Sequence, residues 1–576
     1  MKEYTDLIKV NNFREILNHA ITVHGDKNIF KFKKRMYKKG ETPEFNYITF
    51  KEFGKNVEAL GSAILKLGLS GKRIAIISKN RYEWIESYYA ITTSGACVVP
   101  LDKALPNNEI ISLLERSEVE AVIFEEKYSD VMKTVREENM TKLKYFINMD
   151  LGEDNDFLSY KKMIEDGKDL IRKGDKTYSE VQFDENAMSI MLFTSGTTSI
   201  SKAAMLSQKN ICENLNGVLS VVKINDTDCT LAVLPFHHAL PTIIMHAIIY
   251  SGVCYCFCDG LKYIAQNLAE YECTIFIAVP AIIEVIYKRI IKQIEKQGKT
   301  KLVNGLQTVT NFLDKLHINL KKQVFKDVHQ SLGGHMRLII SGAAPIDKEI
   351  LKGLQGFGIR TIQGYGLTET SPIVSIENDF DERVGSSGKP LPNLEVKIED
   401  KDEKGNGEIL VKGPNVMLGY YKNDEANKES LVDGWYHTGD LGYLDKDGFL
   451  YITGRKKNVI VQKNGKNIYP EELEILISHI PFVKECIVYG KPTWDDDLDV
   501  CVKIVYDKNE IKDTFGYVSE ERILEEMKAQ ISRLNDRMPP YKHIRDVLVT
   551  DEELIKTTTN KVKRFEEIEK ILSTKA

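Results

Sequence analysis

Short apolar runs bounded by turns recur through the first half of the chain, separated by longer stretches in which apolar residues fall three and four apart. The runs at 73–78 (RIAIIS), 96–101, 121–124, 144–148 and 189–193 predict buried strands, and 81–93 predicts a helix between the first two. Strands alternating with helices predict mostly parallel sheets covered on both faces, with binding sites outside the carboxyl ends of the strands. Further on, 207–222 reads as a helix, 230–234 and 275–279 as strands each ending at a proline, and 281–329 as helices rich in Lys and Ile. A strand over 336–341 then runs into the turn Gly342-Ala343-Ala344-Pro345. From 393 to 421 the pattern changes to short alternating strands with Gly-rich turns, which predicts a β-rich subdomain. A strand at 449–452 leads into Gly454-Arg455, and a self-contained βαβ-like tail occupies 468–564. The fold class is α/β. A large N-terminal domain, 1–456, includes the β-rich part at 393–456, and a small α+β C-terminal domain follows at 457–576.

Composition narrows the class only a little. The 576 residues, 42% hydrophobic and 28% charged, suit globular domains with substantial cores, and the net charge of −5 argues against nucleic acid as a partner. Charges scattered through the first residues and nine dispersed cysteines point to a reducing, cytoplasmic setting. Cys254, Cys256 and Cys258 alternate with Tyr255 and Phe257, which predicts a strand with the three sulfurs on one face. No fourth ligand with tetrahedral spacing lies nearby in sequence, so the pattern reads as a buried strand and not as a metal site. The stretch 242–258 is nearly free of charge but short for a membrane span and interrupted by His246 and Gly252. A helix running into a core strand explains it.

The chemistry-bearing segment is Leu192 to Lys202, where hydroxyls, one glycine and a lysine crowd into the turn after an apolar strand. Glycine permits close backbone approach, N–H groups and hydroxyls donate hydrogen bonds, and lysine brings a point charge, a combination suited to a polyphosphate. By itself the run also fits a Ser/Thr-rich surface loop, and it lacks the Gly-Lys-Ser/Thr ending of the Walker loop.

Further motifs follow in order: Leu234-Pro-Phe-His-His238; Gly364-Tyr-Gly-Leu-Thr-Glu369; Tyr436-His-Thr-Gly-Asp-Leu441 with Gly454-Arg455; and Thr557-Thr-Thr-Asn-Lys-Val-Lys-Arg564. With the loop, they resemble the adenylate-forming superfamily of AMP-binding enzymes over nearly the whole chain, and the long-chain fatty-acid–CoA ligases most. The resemblance implies attack of a carboxylate on the α-phosphate of ATP, giving an acyl adenylate and pyrophosphate, and then attack of a thiolate on the acyl group. It implies that Thr194, Ser195, Gly196, Thr197, Thr198 and Lys202 hold the β- and γ-phosphates, and that Glu369 binds Mg²⁺. Tyr365 resembles the aromatic that stacks on adenine, with Gln363 and Gly364 in the same nucleotide-binding stretch. Thr368 resembles the α-phosphate contact, and Ala343 and Ala344 the small residues lining the other side of the base. Asp440 and Arg455 resemble the ribose contacts, Lys457 the hinge of a mobile C-terminal domain, and Lys561 the lysine that reaches the carboxylate and the α-phosphate during adenylation. His238 aligns with the junction of acyl pocket and thiol tunnel, His237 being an extra wall residue, and Asn464-Gly465 with the place where pantetheine passes.

Three positions depart from the pattern. Ser199 and Ser201 replace a glycine and a proline of the phosphate loop, and Asn560 replaces the glycine before the catalytic lysine. The charged and hydroxylic groups are intact, so an active enzyme is expected in preference to a non-catalytic nucleotide-binding homologue. The 278–337 region resembles the long-chain branch, and Ile282, Ile283, Val285, Ile286 and Ile290 at helical spacing are candidates either for an acyl tunnel or for core packing. Expected partners are a fatty acid, ATP and coenzyme A. A carrier-protein thiol as acceptor, or another carboxylic acid, is the alternative, and the resemblance leaves peripheral membrane contact and a homodimer open.

Overall fold

A computed structural model of the protein describes residues 2–38, 41–194, 201–316, 318–463, 466–480, 482–494, 497–556 and 561–574. The chain divides into two compact units, one holding 1–194, 202–396 and 411–436, the other holding 397–410 and 437–576.

Two large sheets form the first unit. In the eight-stranded sheet, Met188–Thr194, Cys97–Pro100, Arg73–Ile77, Ala121–Phe124 and Tyr145–Asn148 run side by side, but in the sheet order 97–100 lies between 188–194 and 73–77. All of these neighbours are parallel. Ile74 to Ile77 are buried without alternation, as expected for a strand covered by helices on both faces. Helix Tyr82–Thr93 lies on the Arg73 strand, and against it packs helix Phe50–Lys66, which is capped by Thr49, whose Oγ1 accepts from the N–H of Glu52 at 3.1 Å, and which buries Phe50, Phe53, Val57, Leu60 and Ile64. Helix Tyr160–Arg172 crosses it so closely that a Cβ on Gly167 would lie 1.9 Å from the Ala59 carbonyl oxygen.

The nine-stranded sheet has the order Lys389–Pro390, Ile373–Ile376, Arg360–Gly366, Leu338–Ser341, Ile275–Ala278, Cys229–Ala232, Cys254–Phe257, Asn28–Lys33 and Phe45–Thr49. Its middle strands, from 360–366 to 254–257, are parallel. Helix Ala239–Ser251, apolar on all sides because it is buried on nearly all sides, stops at Gly252 in the left-handed conformation (φ 71°) and hands the chain to the Cys254 strand, as the sequence predicts. Among the described residues, no helix is long and apolar enough to cross a membrane.

Two features were not visible in the sequence. Lys202–Ser207 is a strand that returns antiparallel to Met188–Thr194, so the hydroxyl-rich segment joins the arms of a hairpin and does not lead directly into a helix. Val285 is 59% exposed, whereas Ile283 and Ile290 are buried in the core and Ile282 and Ile286 pack against it. That helix, Pro280–Lys296, thus packs Ile282, Ile283, Ile286 and Ile290 in or against the core and leaves Val285 exposed.

In the second unit, Val483–Pro492 and Leu498–Tyr506 pair antiparallel, and helix Glu520–Asn535 carries the chain to Asp546–Thr550, parallel to 498–506. This is the α+β tail expected from the sequence. Arg564, at the start of helix Arg564–Thr574, donates to Glu474 Oε1 at 2.6 Å and to the Val488 carbonyl at 2.7 Å, fastening that helix to the sheet.

Candidate active site

Three strands of the parallel run carry a row of predicted residues at or near their carboxyl ends. After Cys229–Ala232 comes 234–238, after Leu338–Ser341 the turn 342–345, and Arg360–Gly366 itself carries Gln363, Gly364 and Tyr365 before a single 3₁₀ turn, Thr368–Thr370. Adjacent parallel strands therefore place Ala343 and Ala344 beside the Gly364-Tyr365 segment. Ala343 has φ 70°, a conformation that disfavours side chains beyond Cβ, and both alanines are exposed. Gly366 must be glycine, since a Cβ would meet the Pro372 carbonyl oxygen at 2.0 Å. The Gln363 amide is 8% exposed and donates to the Ser386 carbonyl at 2.6 Å. Its backbone N–H donates to Glu377 Oε2 at 3.0 Å, and burial pushes the Glu377 carboxyl up to about 7.

Glu369 is tied to the phosphate-loop hairpin by a residue absent from the sequence prediction. Tyr420 pairs with Ala204 on strand Lys202–Ser207, and its hydroxyl donates to Glu369 Oε1 at 2.8 Å. Lys202 Nζ lies 5.0 Å from the centroid of the Tyr420 ring, within cation–π range. The backbone N–H of Met417 donates to the Glu369 carbonyl at 2.8 Å, and Tyr436 hydrogen-bonds Tyr420 and interacts with Tyr365. Thr194 and Lys202 are register partners, and Thr194 Oγ1 donates to the Lys202 carbonyl at 3.3 Å. A lysine, a threonine and a carboxylate thus stand around one hairpin mouth. Residues Ser195, Gly196, Thr197, Thr198 and Ser199 lie outside the described residues.

His238 is the N-cap of helix Ala239–Ser251, and its carbonyl accepts from Thr242 Oγ1 at 2.8 Å. The ring of His237 lies 4.0 Å from that of His238, and its Nε2 is 3.5 Å from Asp102 Oδ1. Burial pulls His237 down to about 4, against the opposing pull of Asp102, so it is neutral at pH 7. Asn80, another residue the sequence did not single out, clamps this turn by donating to the Leu234 carbonyl at 2.7 Å and accepting from the Phe236 N–H at 3.3 Å.

In the second unit, Asp440 and Arg455 are register partners, and Arg455 Nε lies 3.0 Å from Asp440 Oδ1. Asp440 is only 4% exposed, whereas Arg455 and Lys457 are exposed. Thr438 Oγ1 accepts from the Asp440 N–H at 3.0 Å and donates to the Ile409 carbonyl at 2.7 Å, which fixes the bend holding Asp440. Nearby, buried Glu408 takes Lys456 Nζ at 2.6 Å and the Gly439 N–H at 3.1 Å. Lys561 is exposed and follows the segment 557–560, which with Asn464 and Gly465 lies outside the described residues; Val562, next to it, bridges to Lys556.

A hydroxyl, a lysine and a carboxylate thus stand near one hairpin, and two alanines lie beside the Gly364-Tyr365 segment of the adjacent strand. The chain belongs to the AMP-binding enzyme family, whose model matches residues 18–421, and the model of that family's C-terminal domain matches 457–570. Among curated relatives, long chain acyl-CoA synthetase 3 of Arabidopsis thaliana is 30% identical over 488 residues, covering 78% of this chain and 72% of the relative. The long-chain-fatty-acid–CoA ligase FadD15 of Mycobacterium bovis is 29% identical over 459 residues, covering 77% and 75%. The crystal structure of the anthranilate CoA ligase AuaEII with anthranoyl-AMP has the same fold, with a TM-score of 0.76 and 20% identity over 99% of both chains.

Proposed function

We infer that this protein is an AMP-forming acid–thiol ligase that activates a long-chain fatty acid with ATP and passes the acyl group to coenzyme A. The observation that carries this is the match of both family models, read together with long-chain relatives spanning more than three quarters of the chain. In the first step a carboxylate oxygen attacks the α-phosphorus and pyrophosphate leaves. In the second the thiolate of coenzyme A attacks the acyl carbonyl carbon and AMP leaves.

Lys202 and Thr194 hold the departing phosphates. Glu369 offers a hard oxygen donor beside them, the ligand type that suits Mg²⁺, which when bound supplies charge neutralisation for the transferred group. Tyr420 fixes the Glu369 carboxylate through its hydrogen bond, and Lys202 is held over the same ring. Tyr365 with Ala343 and Ala344 frames the base, while Asp440, oriented by Arg455 and Thr438, accepts from the ribose hydroxyls. Thr368 contacts the α-phosphate, and His238 sits where acyl chain and thiol meet. Lys561 brings a positive charge to the carboxylate in the first step, and rotation of 457–576 about Lys457 withdraws it for the second. Leu302, Val309 and Phe312 form an exposed apolar stripe on helix Thr300–Lys315, which supports peripheral contact with a lipid surface that supplies the acid.

The test is a panel of carboxylic acids of increasing chain length, assayed for pyrophosphate release and for CoA thioester. Thioester formation with long acids and ATP is expected. Pyrophosphate release without CoA thioester, together with loading of a carrier-protein thiol, would overturn the choice of acceptor.

A further inference from the structure

The nine-stranded sheet has a second end, away from the row of nucleotide-site residues, and there the fold gathers cysteines that are far apart in sequence. Strands Cys229–Ala232 and Cys254–Phe257 are parallel, with Cys229 opposite Cys254 and Leu231 opposite Cys256. That register turns the side chains of Cys229, Cys254 and Cys256 to one face at the amino ends of the strands. Cys273 comes in just ahead of strand Ile275–Ala278, which pairs with the Cys229 strand, and its N–H donates to the Leu268 carbonyl at 3.0 Å. The sulfurs of Cys229, Cys254 and Cys256 all lie within 4.8 Å of one another, those of Cys229 and Cys256 at 3.4 Å. Cys273 is fully buried and lies next in the chain to this sheet, but it is not one of the three whose sulfurs come together. Tertiary structure thus adds Cys229, distant in sequence, to Cys254 and Cys256, which opens a role for this strand beyond packing.

We propose that Cys229, Cys254 and Cys256 form a three-sulfur site for a soft divalent cation of the zinc class, its fourth position left to an exogenous ligand, remote from the nucleotide site. A tetrahedral zinc thiolate has metal–sulfur bonds of about 2.3 Å, which sets its sulfur–sulfur edges at about 3.8 Å. The distances here bracket that value. No carboxylate takes part, which disfavours magnesium and calcium and favours a thiophilic ion. Among the described residues this is the only group of three or more His, Cys, Asp or Glu side chains whose donor atoms could share one ion. Binding releases the proton of each ligating thiol and leaves negative charge on the strand neighbouring Lys31, whose register partner is Cys256. Cys256 is fully buried, while Cys229 and Cys254 are partly exposed and provide the route in. Cys258 stays outside the group, its thiol donating to the Gly260 carbonyl at 3.3 Å.

The whole chain, purified in reducing buffer without chelator, should carry close to one zinc per chain by elemental analysis. Cobalt(II) added to the metal-free wild type should give thiolate-to-metal charge transfer and the intense visible bands of a tetrahedral site, lost in Cys229→Ser and Cys256→Ser and retained in Cys258→Ser. Fully reduced, metal-free wild-type protein that gives no cobalt–thiolate band would overturn the proposal. So would a Cys229–Cys256 disulfide with no metal in protein isolated without reductant.

Discussion

The phenol of Tyr420 donates to Glu369 Oε1 at 2.8 Å while its ring carries Lys202 Nζ on its face at 5.0 Å, so one side chain holds both the carboxylate proposed for the metal and the cation proposed for the phosphates. Tyr420→Phe keeps the ring and removes only the hydrogen bond. A loss of about 1–2 kcal/mol, roughly five- to thirtyfold in kcat/KM for ATP, is expected, with a higher magnesium concentration needed for half-maximal rate. Pyrophosphate exchange measured across a magnesium series checks this; an unaltered magnesium profile would remove Tyr420 from the site.

Asp440 is buried with its carboxylate held by Arg455. Asp440→Asn retains the shape but gives up acceptor capacity toward two ribose hydroxyls. KM for ATP should rise about tenfold or more, while KM for the fatty acid stays put. A parallel rise in both constants would mean that the residue acts on the fold of its strand and not on the nucleotide.

Lys561→Ala should abolish adenylation, by roughly a hundredfold or more, yet leave thioester formation from added acyl adenylate nearly intact. The two half-reactions are measured separately. Equal losses would contradict a lysine that serves only the first of them.

Glu86 tests the core and not the chemistry. It is buried on helix Tyr82–Thr93, accepts from Asn56 Nδ2 at 3.0 Å and from the Tyr160 hydroxyl at 3.1 Å, and burial pushes its carboxyl up to about 8. Between pH 4.5 and about 8 the unfolded chain has lost this proton and the native one keeps it, so the native state binds more protons and stability falls as pH rises. The span corresponds to at most about 5 kcal/mol. Glu86→Gln mimics the protonated side chain, and its Tm should gain on the wild type steadily from pH 4.5 to 8. Parallel Tm curves would show that Glu86 is ionised in the folded protein.

Most of the fold could be read from apolar periodicity, because the buried strands at 73–77, 121–124 and 275–278 are uninterrupted apolar runs bounded by polar turns. Helix 239–251 was legible for the opposite reason: it is apolar all round, and Gly252 marks its end. The site residues came instead from motif resemblance, since nothing in the periodicity distinguishes Glu369 or Asp440 from a solvated carboxylate. What escaped was tertiary pairing. Tyr420 lies in an apolar segment like many others, and its partner Glu369 is distant in sequence. The return strand 202–207 was hidden because Lys202 looked like the end of a loop. The cysteine at 229 gave no signal beside 254 and 256, since parallel strands bring together residues that share no sequence neighbourhood.

Thr194 and Lys202 face each other across an antiparallel pair, so the two feet of the intervening loop stand one interstrand spacing apart, about 4.8 Å, whatever residues lie between them. Composition and length are therefore under different constraints there. Exchanging side chains, as at Ser199 and Ser201, leaves the anchors in place, whereas inserting or deleting a residue within either arm would turn every later side chain of that strand to the opposite face. Variation among proteins of this kind should accordingly be tolerant of spelling in this loop and strict about the frame that holds it.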